Sequence, residues 1–167
     1  MCSFQRMRNT AHSASSLLSK VCSRRSSIAD VLALLGARHA FVVHGAGGID
    51  ELSPAGPNLV CEVRDGRVAE RTIDPLDLGI PRCAPEDLRG GTPAENAGAI
   101  REVLGGAEGA RRDAILINAA GAIAAAGHAD DLRAGLEAAR AAVDSGAALE
   151  RLDSLVRFTR QEVPSHA

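Results

Sequence analysis

The chain has no tryptophan and no tyrosine, and Phe4, Phe41 and Phe158 are its only phenylalanines. Single-stranded nucleic acids bind largely by stacking bases on aromatic side chains, so this composition all but removes that mode of recognition. A formal net charge of -2 over 167 residues offers no basic field to a duplex backbone, and nucleic acid is not an expected partner. No apolar run reaches the roughly 18 residues a membrane span needs. The stretch 114–127 is too short and carries Asn118, so it reads as a buried helix and no membrane partner is expected. Cys2, Cys22, Cys61 and Cys83 show no CxxC or CxH spacing. That argues against a zinc site and against a disulfide framework, and a reducing cytoplasm is the expected compartment. Acidic residues are missing from residues 1–29, a serine-rich stretch holding Arg6, Arg8, Lys20, Arg24 and Arg25. Such a start has the composition of an organellar transit peptide. It equally fits an out-of-frame or misassigned start, the explanation favoured by the Ala-, Gly- and Arg-rich body. Residues 1–27 are expected to be disordered and foreign to the domain, 28–162 to form it, and 163–167 to be a tail.

What is present reads as a mixed α/β chain: one core strand, a β-hairpin, then four helices. Ile28, Val31, Leu32 and Leu35 recur at helical spacing, and Gly36 supplies a stop. The apolar run from His39 to Val43 predicts a buried strand. Residues 58–64 and 67–73 are strand-like and flank Asp65-Gly66, a strong hairpin signal. Between Asp74 and Gly91, Pro75, Pro81 and Pro85 are expected to break any regular element. Thr92-Pro93-Ala94-Glu95 then combines a capping hydroxyl, a first-turn proline and a third-position glutamate. Ala97, Ile100 and Leu104 predict the inner face of the helix that follows. Further helices are expected over about 111–126, from Asp130 or Asp131 to Gly146 with Leu132, Leu136, Ala139 and Val143 inward, and over about 148–159. A lone strand before a hairpin is too little sheet for an α/β enzyme. The chain therefore reads as the second half of a larger domain, with apolar faces left uncovered.

The most informative segment follows the first strand: Val43-His44-Gly45-Ala46-Gly47-Gly48-Ile49-Asp50-Glu51-Leu52-Ser53. Its glycines allow close approach of a ligand. Adjacent carboxylates at its end repel each other unless a cation or solvent neutralises them. Mg²⁺, commonly held by one or two carboxylates plus a substrate phosphate, fits that pattern; a hydrated surface turn is the plainer alternative.

Several segments together resemble anthranilate phosphoribosyltransferase. They are Val42-Val43-His44-Gly45, Gly48-Ile49-Asp50-Glu51-Leu52-Ser53, Asp87-Leu88-Arg89-Gly90-Gly91 with Glu95-Asn96-Ala97, Arg112 to Ala120, and Ala141 to Leu149. The resemblance runs from about residue 28 to 162 and is to the C-terminal portion of that family. It implies a partial α/β domain of the phosphoribosyltransferase and nucleoside phosphorylase type, also called glycosyltransferase family 3. It implies transfer of a phosphoribosyl group from phosphoribosyl pyrophosphate to anthranilate, a step of tryptophan biosynthesis, with Mg²⁺ held by Asp50 and Glu51. His44 and Gly45 are possible substrate contacts, although a histidine at a strand end more often bonds the adjacent loop. The family's Gly-Thr-Gly-Gly-Asp phosphate loop and Lys-His-Gly-Asn-Arg segment do not occur in this sequence. Nor does the N-terminal helical domain that forms the family's homodimer contact. A truncated form, inactive alone, is thus the leading expectation. The alternatives are a non-enzymatic fragment, a docking half of a split enzyme, or a fold relative with another acceptor. Arg89-Gly90-Gly91 is expected to link loop to helix, Asn118 to be a satisfied core amide, and Asp113 to pair with a nearby arginine.

Overall fold

The computed structural model describes residues 27–161; the expectations for 1–26 and 162–167 fall outside them. Helix α1 occupies 27–34. Strand β1 (His39–His44) then pairs antiparallel with β2 (Asn58–Arg64), and β2 pairs antiparallel with β3 (Arg67–Ile73). The order β1-β2-β3 puts the most buried strand, Asn-Leu-Val-Cys-Glu-Val-Arg, in the middle. The hairpin forms at the Asp-Gly pair as its chemistry demands: Asp65 and Gly66 have φ of 49° and 76°, the positive values a type I′ turn needs. Outermost β3 is mostly exposed and rich in charge, which suits an edge strand.

Alternation along β2 sends its side chains to opposite faces. Cys61 and Val63 pack with Ala29, Leu32 and Ala33 of α1. On the other face Val60 joins Phe41 and Val43 in the main core with Leu116, Ile117, Ala120, Leu136, Ala139 and Val143. Those last six come from α3 (Ala110–Ala125) and α4 (Leu132–Asp144). The sheet is therefore sandwiched, thinly by α1 and thickly by the α3–α4 pair. At the crossing of α3 and α4 there is no room for a side chain: a Cβ on Gly135 would lie 2.5 Å from the carbonyl oxygen of Ala120. Asp131 caps α4 by accepting from the Ala134 amide at 2.9 Å. Helix α2 (Pro93–Leu104) carries the expected capping box, Thr92 with Glu95. Helix α5 (Ala147–Gln161) is tied to α2 by Arg101 and Asp153 at 2.8 Å.

Three local expectations are corrected. Helix α1 is apolar nearly all round, so spacing could not choose its inner stripe. The packed side is Ala29, Leu32 and Ala33, while Ile28, Val31 and Leu35 are exposed. On α2 the buried position is Val103, while Ala97 and Ile100 are exposed, the latter 44%, and Leu104 alone of the expected face packs against the main core. Between Asp74 and Gly91 the chain forms two 3-10 helices, Pro75–Leu78 and Pro85–Leu88. Each begins on a proline, whose fixed φ and missing N–H are tolerated at a first turn.

Candidate functional site

The acidic turn starts where β1 ends. The Gly45 amide donates to the Ile49 carbonyl at 2.9 Å, and that of Gly48 to the Gly45 carbonyl at 3.0 Å. Gly47 and Gly48 have φ of 83° and 85°, so the chain reverses through left-handed backbone that glycine adopts without steric cost. Gly45 is needed for another reason: a Cβ there would collide with the carbonyl oxygen of Glu51. The strand end and the acidic end of the turn thus lie backbone against backbone.

Two amides hold the base of this turn. Asn118 on α3 accepts from the Leu52 amide at 2.9 Å and donates to the Leu52 carbonyl at 2.8 Å and the Ala114 carbonyl at 2.9 Å. Asn58, fully buried at the head of β2, accepts from Ser53 at 2.7 Å and from Ala46 at 3.3 Å. It donates to the carbonyls of Ser53 and Gly56, both at 3.1 Å. The turn is therefore pinned on both sides, with Asp50 and Glu51 exposed at its far end. Asn118 is the satisfied amide expected of it. Asn58 carries little signal in the sequence, only an amide following Pro57 at the start of an apolar strand.

Other expected residues divide. His44 is half-buried and pairs in register with Leu59, but its ring makes no hydrogen bond to a described residue, so it does not brace the loop. Arg89-Gly90-Gly91 does link loop to helix: the Gly91 amide donates to Asn96 at 2.8 Å, and Asn96 donates back to the Gly91 carbonyl at 3.1 Å. Asp113 forms no ion pair within the described residues; burial raises its carboxyl above the ordinary 3.8, outweighing nearby Arg140. The arginine beside it, Arg112, turns to Asp144 at 2.5 Å and Glu108 at 3.5 Å.

Glu51 borders a cleft of about 560 Å³ whose walls include Leu88, Arg89, Ile100, Val103, Arg111 and Ile115. That volume is in the range of small-molecule sites. A cleft of about 600 Å³ opens at the other end of β1, beside Arg38, His39 and Arg64, of which His39 and Arg64 are engaged. Burial and then Arg64 hold the His39 imidazole below its ordinary value. His39 Nε2 lies 2.9 Å from the Glu62 carboxylate, and Arg64 donates to the Asp130 carbonyl at 2.8 Å.

No group of three or more His, Cys, Asp or Glu among the described residues could enclose a metal ion. Asp50 and Glu51 instead present carboxylate oxygens on an open, pinned turn. That donor set does not suit zinc, which favours nitrogen and sulfur ligands. It fits Mg²⁺, which keeps several waters and shares its remaining positions with phosphate oxygens.

The family described as "Glycosyl transferase family, a/b domain" matches residues 7–149, a match that begins inside the serine- and arginine-rich start. The anthranilate phosphoribosyltransferase of Desulforudis audaxviator (strain MP104C) is 51% identical over 134 residues, 80% of this chain and 39% of that protein. The crystal structure of anthranilate phosphoribosyltransferase from Thermus thermophilus superposes with a TM-score of 0.74 at 36% identity, covering 81% of this chain and 40% of that one. The Saccharomyces cerevisiae enzyme in complex with PRPP and Mg superposes with a TM-score of 0.61 at 26% identity, covering 69% and 33%. The chain spans about two fifths of the length of the curated relatives it matches. Matched over most of its length and sharing its fold with a solved relative, this chain belongs to that glycosyl transferase family.

Proposed function

We propose that the chain supplies the metal-binding edge of an anthranilate phosphoribosyltransferase site. The reaction breaks the bond between the ribose anomeric carbon and pyrophosphate, the electron pair leaving with pyrophosphate. The amino nitrogen of anthranilate forms the new bond and loses a proton to solvent. Charge therefore develops on the leaving group, and groups fixed in advance against that charge lower the barrier. A magnesium ion, when bound, supplies that neutralisation. Asp50 and Glu51 would hold it, in part through water, while Asn118, Asn58 and the absent side chain of Gly45 keep their backbone in place. The observation that carries the reading is this pinned, two-carboxylate turn at the mouth of a cleft. The yeast relative in complex with PRPP and Mg supports it.

The phosphate-loop sequences named above are missing from these 167 residues. Positioning both substrates is worth several kcal/mol of barrier or more, so this chain alone is expected to turn over negligibly. The test is a backbone NMR titration with Mg²⁺ and inorganic pyrophosphate. Resonances of residues 44–52 shift if the reading holds; unmoved resonances in a folded sample overturn it.

A specific observation favours a docking half as the second reading. Ile28, Val31, Leu34 and Leu35 of the first helix and its turn are more than half exposed, and β1 pairs on one side only among the described strands. A polypeptide carrying the phosphate loop, expressed separately, would cover that surface and restore turnover. Cytoplasmic placement belongs to the same proposal; no described helix is long and apolar enough to cross a membrane.

A further inference from the structure

Arg89 is the residue whose surroundings change its meaning. The link between loop and helix expected of Arg89-Gly90-Gly91 is made, but by other atoms. Asn96 clamps Gly91 in both directions, and the Arg89 amide donates to the Glu86 carbonyl at 3.1 Å. The Arg89 carbonyl accepts from Arg111 at 3.2 Å. The guanidinium takes no part in this and forms no ion pair or hydrogen bond with a described residue. It borders the same cleft as Glu51.

Helix α3 fixes both sides of that cleft. Near its middle, Asn118 holds Leu52, next to Glu51; in its first turn, Arg111 holds the Arg89 carbonyl. Glu51 and Arg89 thus border one opening, with α3 bonding the backbone of Arg89 and of the residue after Glu51. The walls of that cleft include Ile100, Val103 and Ile115. Apolar walls lower the local dielectric and strengthen any charge interaction made there. Mg²⁺ at Asp50 and Glu51 would offset the two carboxylate charges and keep positions open for phosphate oxygens, and Arg89 adds a positive charge beside the same cleft, which together suit an inorganic diphosphate. Guanidinium matches phosphate oxygens in a planar, two-point geometry that a lysine cannot copy.

We propose that Arg89 is a pyrophosphate contact, holding the end of the leaving diphosphate that lies away from the metal carboxylates. The assignment rests on the metal-edge reading above and adds to it a residue on a different element. No covalent step is involved: Arg89 donates hydrogen bonds to phosphate oxygens and stays charged throughout.

Isothermal titration of the full chain with inorganic pyrophosphate, at saturating Mg²⁺, tests it. Losing a charge-assisted hydrogen bond is expected to weaken binding about tenfold, so Arg89→Gln should bind about tenfold more weakly. Arg89→Lys, keeping charge without the planar fork, should fall between the two. Asp50→Asn should abolish the Mg²⁺ dependence, whereas Arg89→Gln should leave it in place. Circular dichroism checks that each variant is folded. Tight binding by the parent chain with Arg89→Gln equal to it overturns the role of Arg89 alone. No Mg²⁺-dependent binding by the parent chain overturns the metal-edge reading and this inference together. An Arg89→Gln loss that raising the salt concentration reproduces in the parent, with Arg89→Lys fully active, would reduce Arg89 to general charge and refute the two-point contact.

Discussion

Replacing Asn118 by alanine should loosen the acidic turn without touching either carboxylate. Three hydrogen bonds disappear, but they are unequal. The Ala114 carbonyl lies one helical turn before Asn118 and keeps its backbone bond, so its loss is small. The Leu52 amide and carbonyl lose the side chain that satisfies them, and Leu52 is only 3% exposed. A buried polar group left without a partner costs about 1–3 kcal/mol. Taking the lower end of that range, about 1–1.5 kcal/mol, for each of the two groups gives about 2–3 kcal/mol. Better helix propensity of alanine returns about 0.5 kcal/mol, leaving a net destabilisation of about 2 kcal/mol. For a chain of this size that corresponds to a fall in Tm of roughly 4–8 °C. With no tryptophan or tyrosine in the sequence, the readout is urea unfolding by far-ultraviolet circular dichroism instead of fluorescence. Asn118→Asp separates the two halves of the clamp: a carboxylate still accepts from the Leu52 amide but repels its carbonyl. It should be destabilised as well, and pyrophosphate binding with Mg²⁺ should weaken in both variants because Glu51 is the neighbouring residue. An Asn118→Ala chain within about 0.3 kcal/mol of the parent, with unchanged binding, would refute the claim that this amide holds the site.

Gly45→Ala forces a methyl group into the Glu51 carbonyl; overpacking of this kind costs about 1–3 kcal/mol, and Mg²⁺-pyrophosphate affinity by titration should fall with stability. Gly135→Ala meets the Ala120 carbonyl at 2.5 Å, so it should lower the urea midpoint even though alanine favours a helix by about 1 kcal/mol over glycine; binding per folded molecule should not change. Asp113 has its carboxyl raised above 3.8 by burial, so the folded state binds more protons there than the unfolded one. Stability is then lost as pH rises through the window between the ordinary and the raised value. Asp113→Asn should unfold at higher urea than the parent at pH 7, and the difference should close as pH falls below 3.8; a constant gap across that range would contradict it.

The elements that could be read in advance were those specified by neighbouring residues. Asp65-Gly66 fixes its hairpin, Thr92 with Glu95 begins α2, and Asp131 begins α4; each acts over a few positions, so spacing reveals it. The wrong stripe on α1 shows where that stops. A helix apolar nearly all round leaves the choice of face to the sheet it meets, and the side that packs over Cys61 and Val63 is the one carrying the small residues Ala29 and Ala33. The site divides in the same way. Asp50 and Glu51 stand out in sequence because adjacent acids after glycines demand a chemical reason. Asn58, Asn118 and Arg89 do not, since each acquires its role from a contact that folding alone creates. Asn118 meets Leu52 at a separation of 66 residues. Arg89 shares a cleft with Glu51 because α3 anchors the backbone on both sides. A lone arginine before two glycines reads as a connector until the structure shows that Asn96 already makes the connection, and what remains is a guanidinium with no partner among the described residues, beside the cleft that Glu51 also borders.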